Sequence, residues 1–180
     1  MPKPIYFGII IGAVVLSFFA GDAAMRWFKS NPEAEAAAQA MKKIYRPSFQ
    51  LKDVDGRLRN VDEWNGKVLV INFWATWCPP CRREMPSFIR LQEKYAAQGL
   101  QFVGIALDEP LKVQDFLTEM EVEYPNLIGG EAGIKLSSDY GNRMGALPYT
   151  VIIDRRGYIQ FTQRGELKEA VAEKVIKELL

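Results

Sequence analysis

"KVLVINFWATWCPPCRREM", Lys67 to Met85, changes character half-way along. Its first half is an almost unbroken apolar run, the pattern of a strand buried on both faces of a parallel sheet. Its second half holds both cysteines of the chain, Cys78 and Cys81, with only Pro79 and Pro80 between them. Proline suits the first positions of a helix, where a missing N–H does no harm and the fixed φ already fits. The stretch therefore predicts a core strand that runs directly into a helix, with Cys78 as the helix N-cap.

Outward from this point the pattern repeats. Met85, Phe88 and Ile89 keep helical spacing, and Gly99 follows the end of the helix. Upstream, Phe49, Leu51 and Leu58 flank Asp55-Gly56, a hairpin signature. Downstream come a strand in "QFVGIAL" (101–107), a helix in "EPLKVQDFLTEM" (109–120), the short "NLIGG" (126–130) and a helix in "EAGIKLSSDYG" (131–141). The strand "YTVIID" (149–154) then turns through Asp154–Gly157 into "YIQFT". The terminal helix is amphipathic through Val171, Val175, Ile176 and Leu179. Strands alternating with helices define an α/β fold, with helices on the faces of one central sheet.

Composition removes several functions. Among 180 residues, 23 Lys and Arg face 22 Asp and Glu, so the net charge of +1 leaves no electrostatic footprint for nucleic acid. Histidine is absent, which removes the usual general base, the commonest metal ligand and any Cys-x-x-Cys-His haem attachment. Chemistry falls to sulfur, carboxylate or hydroxyl.

The amino terminus differs from the rest. "IYFGIIIGAVVLSFFAG", Ile5 to Gly21, is uncharged, follows Lys3, and has no polar face that would make it a core helix. Gly21-Asp22-Ala23 has a cleavage-like spacing, but the aspartate and the length favour an uncleaved anchor over residues 1–25. Residues 26–46 read as a helical spacer, opened by Asn31, Pro32 and Glu33 and closed by Pro47, with the α/β domain over 47–180. Arg26, Lys29, Lys42, Lys43 and Arg46 would by themselves hold the flank in the cytoplasm, although long domains translocate regardless of such charges.

With Cys78 at the N-cap, the positive end of the helix dipole favours its thiolate, and Cys81 lies one turn further along nearly the same face. Cys78 is then the nucleophile and Cys81 the resolving thiol of a dithiol–disulfide pair. Rival readings are weaker. Structural zinc wants four ligands, and two cysteines without histidine supply half. A copper(I) chaperone could use two thiolates, but no methionine cluster or histidine surrounds them. A purely structural disulfide would close too small a loop to constrain the unfolded chain much. A peroxidase does not fit the spacing of "ATWC", and a passive docking module would not need Cys78 at all.

The strand leading into "WCPPC", Pro86 beyond it, and "GALPYTVIIDRRG" together resemble the thioredoxin fold, and within it the membrane-tethered branch typified by TlpA, ResA and CcmG. The resemblance covers about Phe49 to Leu180 and implies a central mixed sheet flanked by helices behind an N-terminal transmembrane anchor. It implies a thiol–disulfide oxidoreductase on the inner membrane, single-pass, with its domain in the periplasm or otherwise outside the cytoplasm. Its partners would be proteins with disulfides or thiols, and a membrane electron donor would recharge it. The expected direction is reduction, with cytochrome c maturation as a setting; an oxidase or isomerase of the same fold is the rival. No cofactor or metal is implied.

By the same resemblance Pro148 matches a cis-proline facing the cysteines, and Leu147 would offer main-chain groups to an incoming polypeptide. Trp77 and Pro79 complete the expected substrate surface, and Trp74 reads as packing. Tyr149 departs from the smaller residue common there. Glu84 stands where ResA-like proteins have a glutamate, and its side chain leans toward the sulfurs, so it joins Cys78 and Cys81 as a proton carrier for Cys81. Asn72 occupies the place of the buried aspartate of thioredoxin proper and cannot titrate. Pro86 should kink the helix, and Arg82 and Arg83 read as solvated residues whose charge favours the thiolate.

Overall fold

The computed structural model describes residues 44–180. The expected anchor (1–25) and most of the expected spacer (26–46) lie outside the described residues. Among the described residues no helix is long and apolar enough to cross a membrane. Tyr45 and Arg46, from the end of the expected spacer, join this unit: Tyr45 bridges to Tyr158, and Arg46 N–H donates to Gly157 O at 2.9 Å.

Strands β1 (Gln50–Asp53) and β2 (Leu58–Asn60) form the expected hairpin. The chain continues through β3 (Val68–Trp74), α1 (Pro79–Tyr95), β4 (Leu100–Ala106), α2 (Pro110–Glu119) and β5 (Asn126–Ile128). Helix α3 (Gly130–Asp139), β6 (Tyr149–Ile153), β7 (Ile159–Arg164) and α4 (Glu169–Leu179) complete it. The strands form one sheet in the order β2-β1-β5-β4-β3-β6-β7. β3 runs parallel to β4, with Ile71 beside Val103, and antiparallel to β6, with Ile71 beside Val151. This is the mixed sheet with helices on both faces expected of a thioredoxin-like fold.

All seven residues of β3 are buried, as its run of apolar residues, broken only by Asn72, requires. Alternation sorts them. Leu69, Ile71 and Phe73 join Val103, Tyr149 and Leu136 on the face covered by α3. Val68 and Val70 join Phe88, Leu91 and Ile176 on the face covered by α1 and α4. Asn72 and Trp74 share that second face by register, so an amide side chain is placed beneath the helix that carries the cysteines.

In α4 the inward residues are Ala172 and Ile176, whereas Val171, expected inside, is 44% exposed. Ala172 and Ile176 stand one turn apart on the face toward α1, and Arg83–Glu166, Arg90–Glu169 and Lys94–Glu173 pairs link α1 to α4 and the loop before it.

Gly104 in β4 has a steric reason. A Cβ there would stand 1.9 Å from Asn126 Oδ1 and 2.9 Å from Trp74 Nε1. Those two atoms are hydrogen-bonded to each other at 3.0 Å at the end of β3 that leads to the cysteines. Gly104→Ala is expected to destabilise the domain by about 3 kcal/mol through overpacking and loss of that bond, read as a lowered midpoint in urea.

Candidate active site

β3 delivers the chain to a short turn. Leu107 N–H donates to Trp74 O at 2.8 Å, and Cys78 N–H closes the turn on Ala75 O at 3.2 Å. Thr76 is latched to the loop after β4: its N–H donates to Asp108 Oδ2 at 3.1 Å, and its hydroxyl donates to the same oxygen. These bonds hold Asp108 below the usual carboxylate range against the opposing effect of its burial. Trp77, the next residue, is 67% exposed, while Trp74 is fully buried against Phe116.

Cys78 is the N-cap of α1, as expected, with Pro79 and Pro80 in the first two helical positions. Neither proline has an N–H, so the first donor of the helix is Cys81 N–H, which points at Cys78 Sγ at 3.3 Å. One directed hydrogen bond and the helix dipole thus act on one sulfur. Cys78 and Cys81 are joined as a disulfide with Cα atoms 5.3 Å apart.

Glu84, one turn beyond Cys81, is buried rather than solvated. Its Oε1 accepts from Asn72 Nδ2 at 2.8 Å and its Oε2 from Leu167 N–H at 2.8 Å. Asn72 also donates to Thr150 Oγ1 at 3.0 Å, so β3, β6 and the loop before α4 together hold one carboxyl. Burial pushes its pKa up to about 7, outweighing the two bonds that favour the charge. Asn72 does not titrate, but it positions the group that does.

The third segment precedes β6. The Leu147–Pro148 bond is cis, as the resemblance implied, and Pro148 is buried. Leu147 packs against the cluster containing both cysteines. Among the described residues its N–H and C=O take no part in the sheet or in other hydrogen bonds. Asn142 shapes this loop, donating to Ala146 O at 2.8 Å and Ser137 Oγ at 2.9 Å and accepting from Ala146 N–H at 3.1 Å. Tyr149, which departs from the smaller residue common at its position, points into the core, its ring tilted against Phe73 and its hydroxyl donating to Tyr140 O.

Pro86 lies inside α1, which continues through it to Tyr95. Arg82 is exposed above the Phe116 ring, 5.0 Å from its centroid, and Arg83 pairs with Glu166. A groove of about 980 Å³ runs past Pro86, Arg90 and Tyr124 and does not include the cysteines. Among the described residues no three Cys, Asp or Glu side chains converge as metal ligands.

The structure thus brings Cys78, Cys81 and Glu84 onto one helix and places Trp77 and Leu147 around them. Sequence reasoning missed Leu167, Thr150, Asp108 and Asn142. Asn72 was singled out there only as a group that cannot titrate, although alternation along β3 puts it on the α1 face.

The family description Redoxin matches residues 39–180. The chain belongs to the redoxin family. This redoxin is 32% identical over 152 residues to the thiol-disulfide oxidoreductase ResA of Halalkalibacterium halodurans, covering 84% of this chain and 81% of that protein. It is 32% identical over 181 residues to the thiol:disulfide interchange protein HelX of Rhodobacter capsulatus, covering 100% of this chain and 97% of that protein. Among solved structures it is similar to a thioredoxin-family thiol:disulfide interchange protein of Chlorobium tepidum, with a TM-score of 0.70 and 29% identity. That alignment covers 76% of this chain and 96% of the other. The redoxin is therefore a thioredoxin-like redox enzyme, a thiol–disulfide oxidoreductase, and proteins with thiols or disulfides are its class of substrate.

Proposed function

We propose that the chain is a membrane-anchored, extracytoplasmic reductant of protein disulfides, working through Cys78 and Cys81. The observation that carries this reading is the disulfide capping α1, with the buried Glu84 carboxyl held one turn beyond it. In the reduced enzyme the Cys78 thiolate attacks one sulfur of a substrate disulfide, and the substrate's other sulfur leaves as thiolate. Cys81 then loses its proton to Glu84 and attacks Cys78 Sγ, which expels the second substrate thiolate. Two electrons pass to the substrate, and the enzyme is left as the disulfide described above.

Trp77, Pro79 and Leu147 form the surface on which the substrate lies, with the buried Pro148 shaping the main chain beneath it. The free main-chain groups of Leu147 suit an extended polypeptide. The oxidised enzyme must be recharged by a dithiol donor, which we place in the membrane. The apolar run Ile5–Gly21 supports the anchor and, with the ResA and HelX relatives, supports a domain outside the cytoplasm. The likeness to TlpA, ResA and CcmG extends the reading to reduction of client cysteines during cytochrome c maturation. The domain boundaries 1–25, 26–46 and 47–180 belong to the same proposal.

Cys81→Ala tests it. Without the resolving thiol, the mixed disulfide with the client should accumulate in the native host and be identifiable by mass spectrometry after non-reducing separation. Exported cysteine-bearing proteins are the expected catch. Capture confined to cytoplasmic proteins would contradict the location, and no mixed disulfide at all would contradict the protein substrate.

A further inference from the structure

The end of the sheet that carries the disulfide is chemically unlike the rest of the surface. β3 and β4 are parallel and reach it with their carboxyl ends, while β6 begins there and β7 returns to it, Tyr149 pairing with both Phe73 and Arg164. Two connections and the first turn of α2 at this end carry Trp77, Met144 and Leu111, exposed to 67%, 83% and 75%. They are the three most exposed large apolar side chains of the described residues. Such a concentration of apolar surface around a reactive centre marks a contact site.

Charge at the same end is equally uneven. Of its acids, Glu109 pairs with Lys112 and Glu166 with Arg83 and Lys168, Asp108 is held by Thr76 and Glu109 N–H, and Glu131 in the first turn of α3 has no cation partner among the described residues. Glu84 is buried. Arg82, Arg143 and Arg164 are exposed and, among the described residues, have no carboxylate partner. Two of them are held in place by uncharged groups. Arg82 lies over Phe116, and Arg164 lies over Tyr149 while donating to Gly141 O at 3.1 Å. A chain of net charge +1 thus places three exposed arginines without carboxylate partners at the end of the sheet that carries its disulfide.

We propose that this collar docks a cysteine-bearing segment of polypeptide in which acidic side chains and an apolar side chain flank the reacting cysteine. The inference rests on the thiol–disulfide reading above and names its substrate class. Trp77, Leu111 and Met144 receive the apolar side chain, and the three arginines steer and orient the acidic ones. Fixed cations around a docking patch act mainly on the rate of encounter and on discrimination between partners.

The test uses the full chain, reduced with dithiothreitol and freed of it. Its substrates are two synthetic cyclic-disulfide peptides, identical except that glutamates or lysines flank the cysteines, with neutral 2-hydroxyethyl disulfide run in parallel. The acidic peptide should be reduced about tenfold faster than the basic one at low ionic strength, and the ratio should collapse at high salt. Arg143→Glu should cut the ratio to about threefold or less, and Met144→Ser should slow both peptides. Equal rates for the two peptides, with the neutral disulfide still reduced, would overturn the inference and leave the redox reading standing. Reduction of none of the three would overturn both. If Arg143→Glu changes the sedimentation of the protein alone and leaves the ratio untouched, the collar joins two copies of the chain and the proposal fails.

Discussion

Cys78→Ser should abolish disulfide exchange completely while leaving the fold intact. Serine is among the best N-caps, and its hydroxyl can take over the bond from Cys81 N–H that Cys78 Sγ now accepts at 3.3 Å. The disulfide closes a loop of only three residues' separation, so losing it removes little constraint from the unfolded chain. Relative to the reduced protein, the variant should stay within about 1 kcal/mol in a denaturant melt. An oxygen cannot replace a sulfur in a disulfide, so insulin reduction with dithiothreitol as donor should fall to the rate of the buffer alone. Activity that survived in Cys78→Ser would move the chemistry away from this helix terminus.

Glu84→Gln has the second-largest expected effect, and it separates by pH. A free glutamate titrates near 4.5, and burial pushes Glu84 up to about 7. Between those values the native state binds more protons than the unfolded state. Stability is therefore fully present below pH ~4.5 and falls as pH rises through ~7, by about 3 kcal/mol in all. Glutamine has no such titration, so the variant should lose that slope and gain on the wild type above neutrality. Its amide still fits if Asn72 turns over to offer Oδ1 to the new N–H, with the Thr150 hydroxyl donating in return. In catalysis the order reverses. If the Glu84 carboxylate takes the proton of Cys81 as proposed, resolution of a preformed mixed disulfide should accelerate through pH ~7 in the wild type and lose about tenfold or more in Glu84→Gln above it. A variant that kept the wild-type inflection would assign that titration to another group.

The parts of this site that were legible in the sequence are those set by local rules. The apolar run of β3, the prolines after Cys78 and the helical spacing of Met85 and Phe88 each follow from chain geometry over a few residues. The support of Glu84 is different in kind. Its partners are Asn72 on β3 and the main chain of Leu167, 83 positions later, and no periodicity links them. The latch between Thr76 and Asp108 spans 32 positions and depends on the parallel pairing of β3 with β4. The place of Tyr149 was not legible either: Leu147, two residues before it, packs against the cysteine cluster, while the Tyr149 ring faces Phe73 across the sheet. Val171 fails on a finer point: hydropathy favours it, but the helix face toward α1 is set by Ala172 and Ile176.

The central claim is that Cys78 and Cys81 act as an electron donor to other disulfides. The direct measurement is the equilibrium of the dithiol and disulfide forms against graded glutathione and dithiothreitol buffers, followed by alkylation of Cys78. A midpoint near the thioredoxin end of the scale, about −270 mV, is the result predicted for a reductant recharged from the membrane. A midpoint toward about −120 mV would make the chain a disulfide donor and contradict the reductive assignment.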